Sequence, residues 1–279
     1  MNKIDLFGGT GFIGSNFKKM YNEETHVHER NDIIPVHDNV FYMISTTDNY
    51  NVLNDIYLDV NTNLIHLLKV LEYYKNNIFD KNKTIFNFVS SWFVYGKIYE
   101  LPAKESSPCN PTGFYSITKK CAEDLLISFC KTYGLKYRIL RLCNVYGKDD
   151  SKVSKKKNAL QYILQKIKEN QPIELYENGD FIRDYMYVDD VCRAIKLCVD
   201  KGFENEIINI GSGYPHNFRM IIDYAIHFCN STSKITNIPS TDFHKIVQVK
   251  DMYLDVSKLK QLGFKSEISI EQGIESLLQ

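Results

Sequence analysis

Tyr115 and Lys119 stand four positions apart in the run Tyr115-Ser116-Ile117-Thr118-Lys119. On a helix, residues i and i+4 share one face, so the lysine ammonium stands beside the phenol. A free tyrosine loses its proton near pH ~10, and acid/base work near neutrality needs a downward shift of roughly two to three units, or ~3–4 kcal/mol. A neighbouring lysine charge and a bound oxidised nicotinamide both favour phenolate and push in that direction. Tyr115 would then donate a proton in carbonyl reduction or accept one in alcohol oxidation. By chance alone such a pair is an aromatic at a core edge beside a solvated lysine. Ser91 shifts the balance, because it closes a predicted strand at the end where parallel sheets place ligands, and its hydroxyl can orient a substrate oxygen.

The second chemical signal is Gly8-Gly9-Thr10-Gly11-Phe12-Ile13-Gly14, directly after the apolar run Ile4–Phe7. Gly8 permits a tight turn, Gly11 lets the backbone approach a pyrophosphate at a helix N-terminus, and Gly14 allows close helix–strand packing. The spacing is G-x-x-G-x-x-G rather than G-x-G-x-x-G. A dinucleotide cofactor would therefore sit here, with a ribose contact after the second strand. Glu29 there would accept hydrogen bonds from a ribose and repel a 2′-phosphate, whereas Arg30 would pair with that phosphate. Glu29 shares a strand face with Val27 (the inner strand end), which leans the choice to NAD over NADP.

The elements that must position these groups alternate between strand and helix. Strands are predicted at Ile4–Phe7, His26–Glu29, Val40–Ile44, Thr84–Val89, Tyr137–Leu142 and Ile207–Ile210. Helices are predicted at Gly14–Tyr21, Asn61–Tyr74, Tyr115–Cys130 (stopped by Gly134), Ala159–Lys168 and Val188–Val199. The expected architecture is α/β, a Rossmann-type doubly wound parallel sheet with a smaller C-terminal lobe. Residues 1–146 read as the cofactor domain and 147–279 mainly as the substrate lobe, with 188–210 crossing back.

Composition narrows the class. A chain of 279 residues that is 44% hydrophobic can bury a core, so disorder is not expected. A formal net charge of zero argues against nucleic acid or an anionic membrane. The run Lys152, Lys155, Lys156, Lys157 is the local exception, read as a solvated stretch or, alternatively, a site for ligand phosphates. Seven scattered cysteines form no C-x-x-C pair and no Cys/His cluster, so reduced thiols and no metal are expected. No signal peptide and no membrane span are read, and a cytoplasmic location is expected.

The glycine loop, Ser90-Ser91-Trp92-Phe93-Val94-Tyr95-Gly96 and Tyr115-x-x-x-Lys119 together resemble the extended short-chain dehydrogenase/reductases that modify nucleotide sugars. Arg141-Leu142-Cys143-Asn144-Val145-Tyr146-Gly147 resembles the family strand whose Asn contacts the sugar nucleotide. Asp180-Phe181-Ile182-Arg183-Asp184 resembles the segment whose Arg binds the diphosphate or its ribose. Asn209–Gly213 and Leu254–Lys258 match further landmarks, so the resemblance spans nearly the whole chain. It implies Ser91, Tyr115 and Lys119 as the catalytic set. Cofactor contacts are expected at Gly8, Thr10, Gly11, Phe12, Ile13, Gly14, Glu29, Arg30, Ser45, Thr46, Asn61, Ser90, Tyr115, Lys119, Leu142, Asn144 and Val145. Substrate contacts are expected at Ser91, Trp92, Phe93, Asn144, Arg183 and Lys250.

Two departures from the family pattern shape the expected reaction. Only Asn31–Asn39 separates the second and third strands, where the family fits a helix and another strand, so the adenine side is trimmed. Family 4,6-dehydratases carry an Asp-Glu pair after the catalytic Ser/Thr, family decarboxylases also want an acid there, and epimerase-reductases carry a Cys. This chain has Trp92 and Phe93, which do no acid/base work. The resemblance thus implies an NAD(P)-dependent 4-keto-sugar reductase on a nucleotide-diphospho sugar. The alternatives are a 4-epimerase with tightly held NAD and a non-catalytic dinucleotide sensor. A homodimer paired through Asn61–Tyr74 and Tyr115–Cys130 is a further implication.

Overall fold

The computed structural model describes residues 3–76, 84–150, 153–154 and 157–279. Six parallel strands form its central sheet: β1 (Ile4–Phe7), β2 (Thr25–His28), β3 (Asn39–Tyr42), β4 (Ile85–Ser91), β5 (Lys136–Leu142) and β6 (Glu206–Ile210). Their spatial order is β6-β5-β4-β3-β1-β2. From β1 the chain goes one way to β2 and then back past β1 to β3. That reversal opens a crevice at the carboxyl ends of β1 and β3, where open α/β sheets bind ligands.

Seven helices of nine or more residues accompany the sheet among the described residues: α1 (Phe12–Met20), α2 (His66–Asn76), α3 (Phe114–Tyr133), α4 (Ala159–Lys168), α5 (Val188–Lys201), α6 (Phe218–Phe228) and α7 (Ile270–Leu278). Successive strand residues point to opposite faces. Phe7, Val40, Tyr42, Phe86, Phe88 and Ile139 therefore pack with Leu67, Val70 and Leu71 of α2 and with Ala122 and Leu126 of α3. Leu6, Phe41, Leu140 and Ile208 face the other way, toward Phe17 of α1 and Val191, Ala194 and Ile195 of α5. Leu160, Ile163, Leu164 and Ile167 of α4 belong to this same second core, as do Ile221 and Ile222 of α6. The C-terminal part thus shares a core with one face of the sheet. It adds three short strand pairs, including Asn144–Tyr146 beside Tyr185–Tyr187 and Ile182–Arg183 beside His216–Asn217.

The boundaries move in places that matter. β2 ends at His28, so Glu29 lies just past the strand instead of within it. β3 ends at Tyr42, two residues before the predicted Ile44. α1 begins at Phe12, two residues before the predicted Gly14. Ahead of α2 the chain makes a π-helical turn over Asn61–Ile65. With that turn Asn63 is buried and Asn61 exposed. The β2–β3 connection is the loop 29–38, without a helix.

β5 carries two buried arginines that tie helices to both of its faces. Arg141 makes a two-pronged pair with Glu123 of α3, at 3.0 Å from Nε and 2.7 Å from Nη2. Arg138 donates to Asn87 of β4 at 2.6 Å and to the Gly202 carbonyl beyond α5 at 2.8 Å. Removing one partner of a buried pair leaves a bare charge in the core, which typically costs about 3–5 kcal/mol, whereas replacing both with apolar groups is close to neutral. Glu123→Ala should therefore lower the unfolding free energy by about 3–5 kcal/mol in urea titrations. Glu123→Leu combined with Arg141→Met should recover most of that loss.

Candidate active site

The carboxyl edge of the sheet opens into a cavity of about 760 Å³. Phe12 and Ile13 line its cofactor side, below the turn that joins β1 to α1. Gly8 has φ +92°, which a side chain would disfavour, and a Cβ on Gly14 would stand 2.2 Å from the Gly8 carbonyl oxygen. Both glycines are required for α1 to start this close to the strand. No side chain caps α1 at Gly11. Its first N–H groups are thus available to an anion, and the loop fits a pyrophosphate. Gly8, Thr10 and Gly11 form the turn itself and Gly14 lies in the first turn of α1, all outside the cavity wall. Ser45, Thr46, Ser90, Leu142, Asn144 and Val145 continue the wall at the ends of β3, β4 and β5.

Ser91, Tyr115 and Lys119 meet on one side of this cavity. Ser91 is the last residue of β4, and its Oγ accepts the Phe93 N–H at 3.3 Å. α3 presents Tyr115 and Lys119 from its first two turns. Its start is fixed from outside the helix, where Asn49 Oδ1 accepts the Ser116 N–H at 3.2 Å. Lys119 Nζ donates to the Val89 carbonyl at 2.6 Å and lies over the Phe88 ring at 4.1 Å. A second tie runs through Asn63, which donates to Thr118 Oγ1 at 2.9 Å and to Thr46 Oγ1 at 2.8 Å. Its Oδ1 accepts from Ser45 Oγ at 3.1 Å and from the Thr46 N–H at 2.9 Å. Asn63 thus couples the end of β3 to α3.

The electrostatics run opposite to the sequence-based expectation. The Tyr115 phenol is pushed up to about 12 by burial, with the Ser91 and Ser45 hydroxyls opposing and the Asp59 and Asp48 carboxylates adding to the rise. Lys119 is lowered to about 7, also by burial, with Glu123 opposing. The physical reason is burial: both groups sit in a solvent-excluded site that penalises ammonium and phenolate alike, and the Val89 carbonyl and Glu123 only partly offset this for Lys119. Both members of the pair favour their neutral forms there. Without cofactor, Tyr115 is a protonated phenol at physiological pH, ready to donate.

The far side of the cavity sets a buried arginine against an aromatic floor. Trp92 and Phe93 stack on each other at 3.9 Å, and Phe93 meets the Tyr115 ring edge-on at 6.0 Å. The Arg183 guanidinium lies 5.3 Å from the Trp92 ring centre and 4.7 Å from that of Phe181. It donates to the carbonyls of Ile182, Lys250 and Val249 at 2.8, 2.5 and 2.6 Å. Arg183 is buried, and no carboxylate lies within ion-pair distance among the described residues. Asn144 Nδ2 donates to the Asp184 carbonyl at 3.1 Å. Lys250 lines the same wall. Of the lysine run, Lys157 lines the cavity and stands 3.8 Å from Asp150, while Lys152, Lys155 and Lys156 lie outside the described residues.

Besides the four residues of the glycine loop, three expected contacts are not part of this cavity wall. Glu29 and Arg30 are exposed beyond β2, and Asn61 is exposed where Asn63 turns inward. Sequence reasoning also missed His244, which accepts or shares a hydrogen bond with the Tyr50 hydroxyl at 2.8 Å and joins the C-terminal part to the first half along the cavity wall. The seven cysteines are all free. No helix among the described residues is long and apolar enough to cross a membrane.

Residues 37–211 match the model of the NAD dependent epimerase/dehydratase family. The chain belongs to that family. It is 29% identical over 228 residues to a putative UDP-glucose 4-epimerase of Methanocaldococcus jannaschii, covering 82% of this chain and 71% of that one. It spans 32–66% of the length of seven other curated relatives. Among solved structures, the UDP-glucose 4-epimerase of Thermotoga maritima with UDP-glucose superimposes with a TM-score of 0.86 at 25% identity, over 99% of this chain and 97% of that one. The fold is also that of RMD from Pseudomonas aeruginosa complexed with NADPH, with a TM-score of 0.84 at 22% identity over 100% and 98% of the two chains. The Rossmann-type α/β fold and the enzyme family expected from the sequence agree with these matches.

The depressed Lys119 gives a signed pH dependence. From pH 7 toward 10.5 the unfolded chain holds a proton on Lys119 that the folded protein lacks, so stability rises with pH. One group contributes at most about 1.4 kcal/mol per pH unit to that slope. Between pH 7 and 9.5, below the range where Tyr115 titrates, cofactor-free Lys119→Met should show a flatter rise than wild type in denaturant titrations.

Proposed function

We propose that the protein is an NAD(P)-dependent reductase of a 4-keto nucleotide-diphospho sugar. The observation that carries this reading is the Tyr115 phenol, buried beside Ser91 and held in its donor form. The reduced nicotinamide, when bound, supplies the hydride to the carbonyl carbon. Tyr115 gives its proton to the carbonyl oxygen, and the Ser91 hydroxyl orients that oxygen by hydrogen bonding. Ketone, hydride and proton together make the secondary alcohol. Lys119, anchored on Val89, places Tyr115 and returns the local charge balance as the phenol loses its proton. Trp92 and Phe93 stand where elimination or decarboxylation would want an acid, and they leave simple carbonyl reduction as the chemistry the wall supports. The buried, unpaired Arg183 takes the diphosphate, with Asn144 and Lys250 beside it.

The same reading assigns 1–146 to the cofactor and 147–279 mainly to the sugar nucleotide, with β6 completing the cofactor sheet. Glu29 leans the cofactor to NAD, and its exposed position beside Arg30 keeps NADP open. Exposed Ile65, Leu68, Phe114 and Ile117 around the two central helices support a homodimer.

A 4-epimerase is the second reading, supported by the likeness to the Methanocaldococcus protein and by family membership. It would use the same residues in both directions and keep its NAD. The two readings part in one assay. A reductase oxidises added NADH or NADPH stoichiometrically with a 4-keto nucleotide sugar, and Tyr115→Phe lowers kcat by about 10²–10⁴. An epimerase leaves the purified protein carrying NAD and interconverts C4 epimers with no net cofactor oxidation. Arg183→Met should raise KM for the sugar nucleotide much more than it lowers kcat.

A further inference from the structure

His26 and His28 alternate on β2, so their side chains leave the same face of the sheet. Asp5 of β1 is paired with His26 in the parallel register and shares that face. The loop 29–38 folds over this cluster. Asp5 Oδ2 accepts the Val36 and His37 N–H groups at 2.6 and 2.7 Å, and its Oδ1 stands 2.7 Å from His37 Nδ1. Asp5 and His28 are excluded from solvent, whereas His26 is exposed at the sheet edge.

The proton on His28 is placed by its neighbour. Nδ1 lies 2.7 Å from Asp32 Oδ2, and Asp32 is itself oriented by the Ile34 N–H at 3.1 Å. With Nδ1 donating to Asp32, Nε2 presents a lone pair. That atom faces Asp5 Oδ1 at 3.0 Å, yet it is not aligned for a hydrogen bond and has no hydrogen-bond partner among the described residues. Two acceptor atoms buried this close require a proton or a metal cation between them, and without metal the Asp5 and Asp32 carboxylates, against the effect of burial, favour the proton on His28. A histidine whose second nitrogen is held by a carboxylate is the usual arrangement of a metal-bound imidazole. The donor atoms of Asp5, His26 and His28 all lie within 4.8 Å of one another.

We propose that Asp5, His26 and His28 bind a divalent cation of the zinc class. Two imidazoles and one carboxylate suit Zn²⁺, Co²⁺ or Ni²⁺, while Ca²⁺ and Mg²⁺ want an all-oxygen shell. Around tetrahedral zinc the donors stand roughly 3–3.5 Å apart, so the cluster would have to draw in, and the exposed His26 is the side chain with room to move. His37 or water completes the shell. The metal pins the loop 29–38 onto β1 and β2, in the stretch where the family resemblance leads one to expect a helical crossover. It thereby fixes the residues next to His28, which are Glu29 and Arg30. This site is separate from the catalytic wall and does not depend on which sugar reaction is run.

The test is zinc binding by the full chain after chelator dialysis, read by metal stoichiometry and thermal unfolding. Wild type should retain one Zn²⁺ per chain after desalting, and saturating zinc should raise Tm by about 5 °C. His26→Ala, at an exposed position, should fold with an unchanged metal-free Tm and lose both the bound zinc and the shift. Wild type with no retained zinc and no shift overturns the proposal, and leaves the cluster as a hydrogen-bond network around a protonated His28. An equal shift in His26→Ala also overturns it, because the zinc then sits elsewhere, for instance on cysteines.

Discussion

The 2.6 Å bond from Lys119 Nζ to the Val89 carbonyl is the contact on which the catalytic wall depends. It joins the second turn of α3 to β4 two residues before Ser91. With that distance fixed, Tyr115 one turn earlier on the helix reaches the same side of the cavity as the Ser91 hydroxyl. The same packing sets the charge state. The burial that accompanies this packing favours the neutral amine over the ammonium, and it likewise keeps the neighbouring phenol protonated. Packing, geometry and acid strength at this site therefore have a common origin in the burial of α3 against the sheet.

Around this contact the fold uses buried polar ties in place of a larger apolar interface. Glu123 and Arg141 hold α3 to β5, Asn63 holds the end of β3 to Thr118, and Asn49 holds the start of α3. Asp184 plays the same part across the substrate side, accepting from Ser212, Gly213 and Leu254. Each such group is costly if left unpaired, so the set specifies one arrangement of the cavity wall. Arg183 is the exception, with carbonyls as its partners and no neutralising carboxylate. A buried guanidinium without an ion-pair partner at the rim of a cavity suits an anionic ligand, and the proposal that Arg183 takes the diphosphate rests on this.

Much of this was legible in the sequence, for definite reasons. Strand and helix periodicities gave the parallel sheet, and Ala159–Lys168 matches α4 residue for residue, because an amphipathic pattern depends on local spacing. Ser91, Tyr115, Trp92, Phe93 and Arg183, which line one cavity, stood out because each belongs to a short contiguous motif. What escaped depends on contacts distant in the chain. Asn63 replaced Asn61 through a π-helical turn, for which no residue pattern stood out. His244 reaches Tyr50 across 194 positions. The upward shift of cofactor-free Tyr115 was not legible, because helical spacing places Lys119 near the phenol but does not reveal how deeply both groups are buried. The Asp5–His28 network was likewise hidden, since it joins two strands and a loop.

The central claim is that Tyr115 and Ser91 support hydride delivery to a carbonyl carbon of a nucleotide sugar. The most direct measurement follows the hydride itself, using nicotinamide cofactor carrying deuterium at both C4 positions and a 4-keto nucleotide sugar. Mass spectrometry of the product should find one deuterium on the sugar ring for each cofactor oxidised. Cofactor that is never oxidised, or a sugar product without the label, would contradict the account.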